Sequence, residues 1–438
     1  MGLGRFGGGE GLVQWLLSEG ADVLVSDLAE AASLQPALDR IEATAGRRPT
    51  VHTGPHDERD FTHTELIVVN PAVPRPWSNT VLQAARNAGV PCTTAMRLLI
   101  ERLPERNTVI GITGTVGKST TASMLHHVLH ASGLDARLAG NIGGSLLPDL
   151  ATITPDTWVV LELSSAQLHW LDASPDGWPG WSPHIALTTN IAPNHLDWHG
   201  DETAYRTAKA VIHRFQRVGD SAIDGASCPG TDAIDLRLPG AHNQSNARLA
   251  VAGAVTATGK DYGVLAATLS TFGGLDHRLQ PVDGLGPRQA PRIWNDAKSS
   301  APEATLLAAT SFGDRLDRVH LIVGGYDKGV SLDAIARLAP DLAGLYCIGT
   351  TGPALASAAR DRGAAVFDCG TLDVAVEQAM GNLGNDGLLL LSPGCASWDQ
   401  FTDFRQRGER FLELIAAHVT RAQSKQAAPT RSCTDSTP

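Results

Sequence analysis

Short apolar segments alternate with helical patterns through almost the whole chain, and this alternation limits the folds that the chain can adopt. Eight segments rich in Val, Ile and Leu are typical of strands, namely "ADVLVSD", "ELIVVN", "TVIGITG", "WVVLEL", "HIALTTN", "RVHLIVGG", "GLYCIG" and "GLLLLSPG". Apolar strands separated by helices indicate parallel sheets that are covered on both faces. We therefore predict an α/β protein in which a mostly parallel sheet flanked by helices occurs three times.

The chain is too long for one compact core, because it has 438 residues and domains hold about 150 residues on average. The first boundary falls near "ERLPERN", and the second falls in the Gly- and Pro-rich stretch at 273–291. We predict domains at 1–104, 105–278 and 279–420, the first and third Rossmann-like and the second built on a phosphate-binding loop. The polar remainder, 421–438, is predicted to be a disordered tail.

The composition limits the kinds of binding partner and the cellular compartment that we expect for this protein. The formal charge of −11 argues against a general nucleic-acid or anionic-membrane surface. Six cysteines are scattered without a C-x-x-C pair, which fits reduced thiols in a cytoplasmic protein. The sequence shows no apolar run near the roughly 20 residues of a membrane span and no signal-peptide pattern. We expect a cytoplasmic protein with neither nucleic acid nor membrane as a partner.

One glycine-rich segment, "VIGITGTVGKST" at 109–120, joins a predicted strand to a predicted helix. The strict pattern G-x-x-x-x-G-K-[ST] fails, because Ile112 stands where the first glycine is required. Gly114 and Gly117 still allow backbone N–H groups to converge on an anion at a helix N-terminus, beside Lys118 and a hydroxyl ligand for Mg²⁺ in Ser119. The alternative is an ordinary strand-turn-helix corner with a surface lysine.

A second glycine-rich loop opens the chain. Gly2, Gly4 and Gly7 form G-x-G-x-x-G, and Asp27 follows about 20 residues later, as in a dinucleotide fingerprint. The loop fits an NAD-linked oxidoreductase or a site for another nucleotide diphosphate. Such a loop normally follows a strand, so we expect that the chain lacks its first strand. Either translation starts upstream, which is the alternative that we favour, or the first sheet is built without that strand and leaves neighbouring backbone groups unpaired.

Acidic and imidazole side chains follow the next two predicted strands. Glu162 ends "WVVLE", where it can hold Mg²⁺ against phosphates, and His195 follows "HIALTTN". Either could instead make only local contacts with water or backbone. Lys209 lies in a helical stretch, where a solvated lysine is the ordinary expectation. Asn243 and Asn246 share one helical face, which suits either an adenine edge or helix capping.

Cations and small polar groups also lie at strand ends in two successive predicted domains. Each is weak evidence alone, and together they suggest a second set of ligand contacts: Arg278, Asp296, Lys298, Lys328, Ser397 and Phe404.

The order of these motifs resembles the Mur ligases. Nine blocks carry the resemblance as far as about Phe411: "GTVGKST", "ELSSAQL", "NHLDWHG", "YRTAKAVI", "GAHNQSNA", "HRLQ", "NDAKSS", "GGYDKG" and "SPGCASWDQF…RG". The resemblance implies three domains that bind a UDP-sugar, ATP and an amino acid. It also implies an ATP-dependent amide ligase of peptidoglycan precursor synthesis that forms an acyl phosphate.

The last block is most similar to the members that add glutamate, in its D form, to UDP-N-acetylmuramoyl-L-alanine. The implied cofactors are ATP, Mg²⁺ and a CO₂-derived carbamate on Lys209, and the expected state is a monomer. Alternatives are another Mur-type or a folylpolyglutamate-type ligase, a dinucleotide oxidoreductase, and a non-catalytic nucleotide-binding protein.

The resemblance assigns residues by motif. The catalytic set is Lys118, Glu162, His195 and Lys209. The metal set is Ser119, Glu162, His195 for a second Mg²⁺, and Lys209 as carbamate. The ATP set is Gly114, Thr115, Gly117, Lys118, Ser119, Thr120, Asn243, Asn246, Arg278 and Asp296. The substrate set is Asp27 for uridine, Asn141 and Gln167 for the muramoyl-alanine part, and Lys298, Ser300, Lys328, Ser397 and Phe404 for glutamate.

Three departures from the family pattern affect these assignments. Val116 replaces the common asparagine of the phosphate-binding loop and removes a side-chain donor. "NDAKSSAP" replaces "DSKATN", which weakens the assignment of Ser300. Leu28 follows Asp27 where a small polar residue is common, and the loop "GRFGGGEG" is itself unusual. Recognition of uridine is therefore the least secure expectation.

Overall fold

The computed structural model describes residues 1–4, 8–192, 194–228, 233–282 and 292–427. Two compact units are present. The first contains Met1–Asp235 and Gln244–Ser270, and the second contains Leu236–Asn243 and the chain from Thr271 onward. The α/β fold with mostly parallel sheets is confirmed, whereas the division into three domains stays a prediction. Gly7 of the N-terminal glycine motif lies outside the described residues.

The N-terminal part of the first unit contains two parallel two-stranded sheets, β1 with β2 and β3 with β4. Its strands are β1 Leu24–Asp27, β2 Thr50–Thr53, β3 Ile67–Val68 and β4 Cys92–Thr93. Its helices are α1 Gly8–Ser18, α2 Ala31–Ala45, α3 Arg59–Thr62, α4 Thr80–Asn87 and α5 Ala95–Ile100.

The first residues of the chain lie between β1 and β3. The Gly2 N–H donates to Ser26 O at 2.9 Å, and the Asn70 N–H donates to Met1 O at 3.0 Å. The terminal amine donates to Val68 O at 2.9 Å. The alternative in which neighbouring backbone groups stay unpaired therefore does not hold for these three groups.

A five-stranded parallel sheet, in the order β6-β7-β5-β8-β9, forms the rest of the first unit's framework. Its strands are β5 Val109–Thr113, β6 Ala136–Gly140, β7 Trp158–Glu162, β8 Ile185–Thr188 and β9 Ser221–Asp224. The helices of this stretch of chain are α6 Lys118–Ala131, α7 Ser165–Leu171, α8 Leu196–His199, α9 Glu202–Arg214, α10 Ala241–Thr258 and α11 Tyr262–Ala267. Because β7 and β8 flank β5, the segments that follow these three strands meet at one edge of the sheet.

The second unit contains a six-stranded sheet in the order β10-β11-β15-β12-β13-β14, parallel except for the β10–β11 pair. Its strands are β10 Gln280–Pro281, β11 Ile293–Asn295, β12 Val319–Gly324, β13 Gly344–Ile348, β14 Val366–Gly370 and β15 Leu388–Leu391. Its helices are α12 Pro302–Thr310, α13 Asp333–Leu338, α14 Gly352–Arg360, α15 Leu372–Asn382 and α16 Phe404–Ala427.

Burial on both faces explains why these strands are apolar without alternation. In β15, Leu388 and Leu390 belong to one hydrophobic core, and Leu389 and Leu391 belong to the other. Successive side chains point to opposite faces of a strand. Each face of the sheet therefore buries its own set of leucines, as the run "LLLL" predicts.

The C-terminal tail requires a correction. Helix α16 continues to Ala427, so the predicted start of a disordered tail at residue 421 falls inside a helix. The polar composition of 421–427 does not distinguish a helical end from a disordered tail. Residues 428–438 lie outside the described residues. No helix in the described part of the chain is long and apolar enough to cross a bilayer.

Candidate functional site

The loop between β5 and α6 has the backbone geometry of an anion site. Gly114 has φ 143° and Gly117 has φ 89°, a region that favours glycine. A Cβ on Gly114 would lie 1.9 Å from the Thr189 hydroxyl oxygen, and one on Gly117 would lie 2.4 Å from Asn246 Oδ1. Both glycines are therefore required, and the loop leads directly into the N-terminus of a 14-residue helix, where N–H groups favour anions.

Side chains at the start of α6 complete this loop. The Lys118 ammonium donates to Thr115 O at 3.0 Å, so the lysine folds back over its own loop. Ser119 is buried, and Thr120 is half-buried. Asn246, on α10, accepts a 3.3 Å hydrogen bond from Thr121 of α6. Asn246 therefore lies next to the predicted phosphate-binding loop.

Glu162 ends β7 beside the end of β5, where it pairs in register with Ile112. Its side chain is fully buried. One carboxylate oxygen accepts a 2.9 Å hydrogen bond from the Asn141 amide. The other, Oε2, has no hydrogen-bond partner in the described part of the chain. A buried oxygen without a partner costs about 1–3 kcal/mol, so this oxygen is suited to a ligand that it can contact.

Lys209 does not behave as a solvated helix lysine. Its side chain is buried, and its ammonium donates to Thr113 Oγ1 at 3.0 Å and to Gly114 O at 2.8 Å. Burial, reinforced by the nearby charge of Lys118, lowers the pKa of Lys209 to about 7, although Glu162 opposes the shift. A substantial fraction of this amine is therefore neutral at physiological pH.

His195 lies in the loop before α8 and has a left-handed backbone with φ 52°. Its side chain is exposed at the surface. Loss of hydration, together with the charges of Lys118 and Lys209, lowers the pKa of His195, and Asp197 opposes the shift. The imidazole is therefore neutral near pH 7, the form that binds metals.

The acidic and hydroxyl side chains at this edge of the sheet fit a divalent cation. Mg²⁺ prefers oxygen ligands and commonly takes only one or two carboxylates from a protein. The unpartnered Oε2 of Glu162 provides one such oxygen. No group of three or more His, Cys, Asp or Glu side chains that could hold a metal occurs among the described residues.

Two predicted ligand residues of the second unit, Arg278 and Asp296, lie close enough for their charges to interact. The Asp296 carboxylate accepts hydrogen bonds from Ser392 Oγ at 2.7 Å and from Leu279 N at 3.1 Å. Burial raises the pKa of Asp296 to about 7, and Ser392 and the charge of Arg278 oppose the shift. Asn243 is used locally, because its amide donates to Pro239 O at 2.6 Å. This bond engages the amide nitrogen of Asn243, and the assignment of the residue to ATP stays a prediction.

The predicted glutamate residues also cluster within the second unit. Ser300 and Lys328 line one pocket together with Tyr326, Thr351 and Cys395. The Lys328 ammonium lies 4.9 Å from the centre of the Trp398 ring, and that of Lys298 lies 5.3 Å from the centre of the Phe404 ring.

Both cations therefore rest on aromatic faces, an arrangement that stabilises ammonium groups. Ser397 is buried and lies in the same loop as Cys395, the loop that follows β15.

Arg407, a buried arginine that the sequence analysis did not identify, connects two loops of this cluster by hydrogen bonds. Arg407 donates from one guanidinium nitrogen to Ala297 O at 2.9 Å and to Cys395 O at 3.0 Å. Burial lowers its pKa to about 10, so it remains charged near pH 7. The neighbouring Gly408 is required as well, because a Cβ there would lie 2.2 Å from His277 Nδ1. In the sequence, Arg407 and Gly408 form the "RG" at the end of the last motif, and this was the signal that could have identified both residues.

The predicted UDP-sugar contacts have structural partners within the first unit. Asp27 accepts the N–H of Leu3 at 2.7 Å and that of Ala29 at 2.8 Å. Gln167 closes a capping box with Ser164 at the start of α7. These bonds hold the N-terminal loop and one helix end. The assignment of Asp27, Asn141 and Gln167 to substrate binding stays a prediction.

Comparison with known proteins places this geometry in context. A model of the family described as "Mur ligase middle domain" matches residues 112–231. The UDP-N-acetylmuramoylalanine–D-glutamate ligase of Roseiflexus sp. (strain RS-1) is 34% identical, over 95% of this chain and 97% of that protein. The enzyme of the same name from Koribacter versatilis (strain Ellin345) is 32% identical, over 95% of this chain and 96% of that protein.

Solved structures support the fold. UDP-N-acetylmuramate-alanine ligase MurC from Thermotoga maritima has a TM-score of 0.59 at 18% identity and covers 97% of this chain and 98% of its own. The MurF ligase from Thermotoga maritima, in complex with ADP, has a TM-score of 0.55 at 13% identity and covers 92% of this chain and 97% of its own.

Proposed function

Because this chain belongs to the Mur ligase family, we propose that it joins glutamate to UDP-N-acetylmuramoyl-L-alanine with conversion of ATP to ADP and phosphate. The substrates are proposed from the printed names of relatives that match nearly their whole length. The observation that carries the proposal is the phosphate-type loop ending in Lys118, next to a buried Glu162 oxygen without a partner among the described residues.

The chemistry proceeds in two steps. The substrate carboxylate attacks the γ-phosphorus of ATP, the bond to the β–γ bridging oxygen breaks, and ADP leaves. The glutamate amine then attacks the carbonyl carbon of the acyl phosphate, loses a proton, and expels inorganic phosphate. Lys118 and the N–H groups at the start of α6 stabilise negative charge on the transferred group. Mg²⁺ bound by Ser119 and Glu162, with a second ion at His195, would supply further positive charge.

We also propose that Lys209 reacts with CO₂ to form a carbamate. The neutral amine attacks the carbon of CO₂, a C–N bond forms as one C=O π pair moves onto its oxygen, and one proton passes from the nitrogen to solvent. The low pKa of Lys209 supports the proposal, because only a neutral amine reacts. Carbamylation would require one of the present hydrogen bonds, to Thr113 Oγ1 or to Gly114 O, to rearrange. The product would offer anionic oxygens near the metal ligands, which an ammonium cannot do.

We propose that the Ser300 and Lys328 pocket, with Lys298, Ser397 and Phe404, binds glutamate. Lys328 lines this pocket together with hydroxyl groups, and Lys298 lies two residues before Ser300 in the chain, so two cations are available for an amino acid with two carboxylates. The remaining predicted residues, Arg278, Asp296, Asn243 and Asn246, are proposed to contact ATP, and Asp27, Asn141 and Gln167 to contact the UDP-sugar.

Phosphate release with UDP-N-acetylmuramoyl-L-alanine and each glutamate enantiomer tests the proposed function. The expected result is ATP-dependent release of phosphate that requires both substrates and that occurs with D-glutamate. Turnover with a folate and glutamate, or with a different amino acid, would assign the chain to another amide ligase. ATP binding without turnover on any acceptor would contradict a catalytic role.

A further inference from the structure

Among the non-glycine residues of the phosphate-type loop at 114–118, Val116 is the one with an apolar side chain, and 53% of its surface is exposed. Its backbone is nevertheless fully engaged. Its N–H donates to Asn190 Oδ1 at 3.2 Å. Its carbonyl accepts from Asn190 Nδ2 at 2.8 Å and from Thr189 Oγ1 at 2.6 Å. Both partners belong to the segment that follows β8.

The carboxamide of Asn190 contacts both polar groups of one residue. A planar group that donates and accepts at the same residue fixes the position and the orientation of the peptide units on either side. The backbone of Asn190 adds a third bond, because the Thr115 N–H donates to its carbonyl at 2.8 Å. The N–H groups of Thr115 and Val116 thus point to Asn190, and the anion is left to the N–H groups around the start of α6.

The same segment continues into the loop that carries His195. Two residues beyond Asn190, the Ala192 N–H donates to Thr115 Oγ1 at 2.9 Å. Thr115 Oγ1 also lies 2.8 Å from the Tyr205 hydroxyl on α9. The loop that would hold phosphate and the loop that ends at His195 are therefore joined by a continuous set of hydrogen bonds.

We propose that Asn190 is a positioning residue for phosphoryl transfer, a role that rests on the proposed function. It holds the backbone at Val116 so that the N–H groups at the start of α6 and Lys118 face the transferred phosphate. A side-chain donor within the loop is missing at Val116, and Asn190 supplies the corresponding restraint from outside. Thr189 assists through its single bond to the Val116 carbonyl.

The test compares Asn190→Ala, Asn190→Asp and Thr189→Val with the control Asn107→Ala, a change at an exposed asparagine before β5. Asn190 is exposed, so its variants should fold, and a thermal unfolding midpoint checks this. We expect Asn190→Ala to lower kcat/KM for ATP by about 10- to 100-fold, since small displacements of reacting groups have effects of this size. The KM for glutamate should stay within about twofold.

Asn190→Asp should be at least as impaired, because a carboxylate oxygen would replace the donor that faces the Val116 carbonyl. Thr189→Val should show a smaller loss. Wild-type kinetics in Asn190→Ala or Asn190→Asp would overturn the proposal. A parallel rise of the glutamate KM with a lower unfolding midpoint would also overturn it, since that pattern indicates a structural role only.

Direct titration of each variant with ADP and Mg²⁺ separates this proposal from the proposed function. If the wild-type protein binds ADP but does not ligate glutamate, the function is wrong. Weaker ADP binding by Asn190→Ala than by Asn107→Ala would still support positioning of the phosphate-type loop.

Discussion

The Asn141 amide donates a 2.9 Å hydrogen bond to one oxygen of Glu162, and the second oxygen of this buried carboxylate has no partner in the described part of the chain. Asn141 thereby fixes which oxygen of Glu162 is open to a ligand. The Asn141 side chain comes from the segment after β6, and Glu162 ends the neighbouring strand. Orientation of a ligand by a second side chain is common around metal sites.

Removal of either charge at the proposed catalytic centre should abolish most turnover. We expect Lys118→Ala and Glu162→Gln to lower kcat by at least about 100-fold, the scale for one preorganised electrostatic group. The measurement is phosphate release under saturating substrates. Glu19→Gln, at an exposed position, is the matched control and should retain wild-type turnover. Near-normal rates in both site variants would contradict the assignment.

Asn141 and Glu162 should act as one unit. We expect Asn141→Ala to lower kcat by about 10-fold and the double variant with Glu162→Gln to lose no more than Glu162→Gln alone, because residues in contact are not additive. A double-mutant cycle on phosphate release gives the coupling energy. Independent, multiplicative losses would show that Asn141 acts elsewhere, for example on the muramoyl substrate.

The buried Lys209 should make stability depend on pH. Its pKa falls from 10.5 in the unfolded chain to about 7 in the folded protein. The unfolded chain therefore binds more protons between these values, so stability should rise as pH increases from 7 toward 10. Lys209→Met should flatten this rise and increase the free energy of unfolding at pH 7 by about 1–3 kcal/mol. Urea unfolding at pH 7 and pH 9 measures both effects, and equal pH slopes would contradict them.

Chemical rescue tests the proposed carbamate on Lys209. Lys209→Ala should lose activity, and short carboxylates such as formate or acetate should restore part of it by supplying the missing anionic oxygens. Chloride at the same ionic strength is the control. In the unmodified protein, removal of CO₂ and bicarbonate should lower kcat. Full activity in CO₂-free buffer would exclude the carbamate.

The proposed glutamate pocket should respond selectively to loss of Lys328. We expect Lys328→Ala to raise the KM for glutamate by about 10-fold or more, in keeping with loss of a charge-assisted hydrogen bond. The KM for ATP should change by less than about twofold. Lys260→Ala, a change at an exposed lysine of the first unit, controls for the loss of one positive charge. An unchanged glutamate KM would remove Lys328 from the pocket.

The sequence predicted the elements better than the contacts between them. The strand, glycine loop and helix at 109–131 and the position of Glu162 follow from local patterns, because apolar runs and glycines directly reflect burial and backbone conformation. The partnership of Asn190 with Val116 could not be predicted, because a side chain that bonds to backbone leaves no pattern at its partner. The pKa of Lys209 also depends on burial that only the fold defines.

Some local roles could have been predicted. Ser164 and Gln167 have the spacing of a capping box before an apolar run, and the structure contains that capping box. The continuation of α16 to Ala427 was not predicted, because the sequence of this segment has no pattern that distinguishes a helix from a tail. Polar composition without apolar periodicity is shared by exposed helical ends and by disordered tails.

The single guanidinium of Arg407 bonds to the loop after β11 and to the loop after β15, which are about a hundred residues apart in the chain. Neither loop can open without leaving a buried cation short of acceptors, and this penalty links their fluctuations. Amide protons of the two loops should therefore exchange with solvent in one shared opening event. Hydrogen–deuterium exchange would then report correlated protection at Ala297 and Cys395, and Arg407→Lys would separate the two exchange rates.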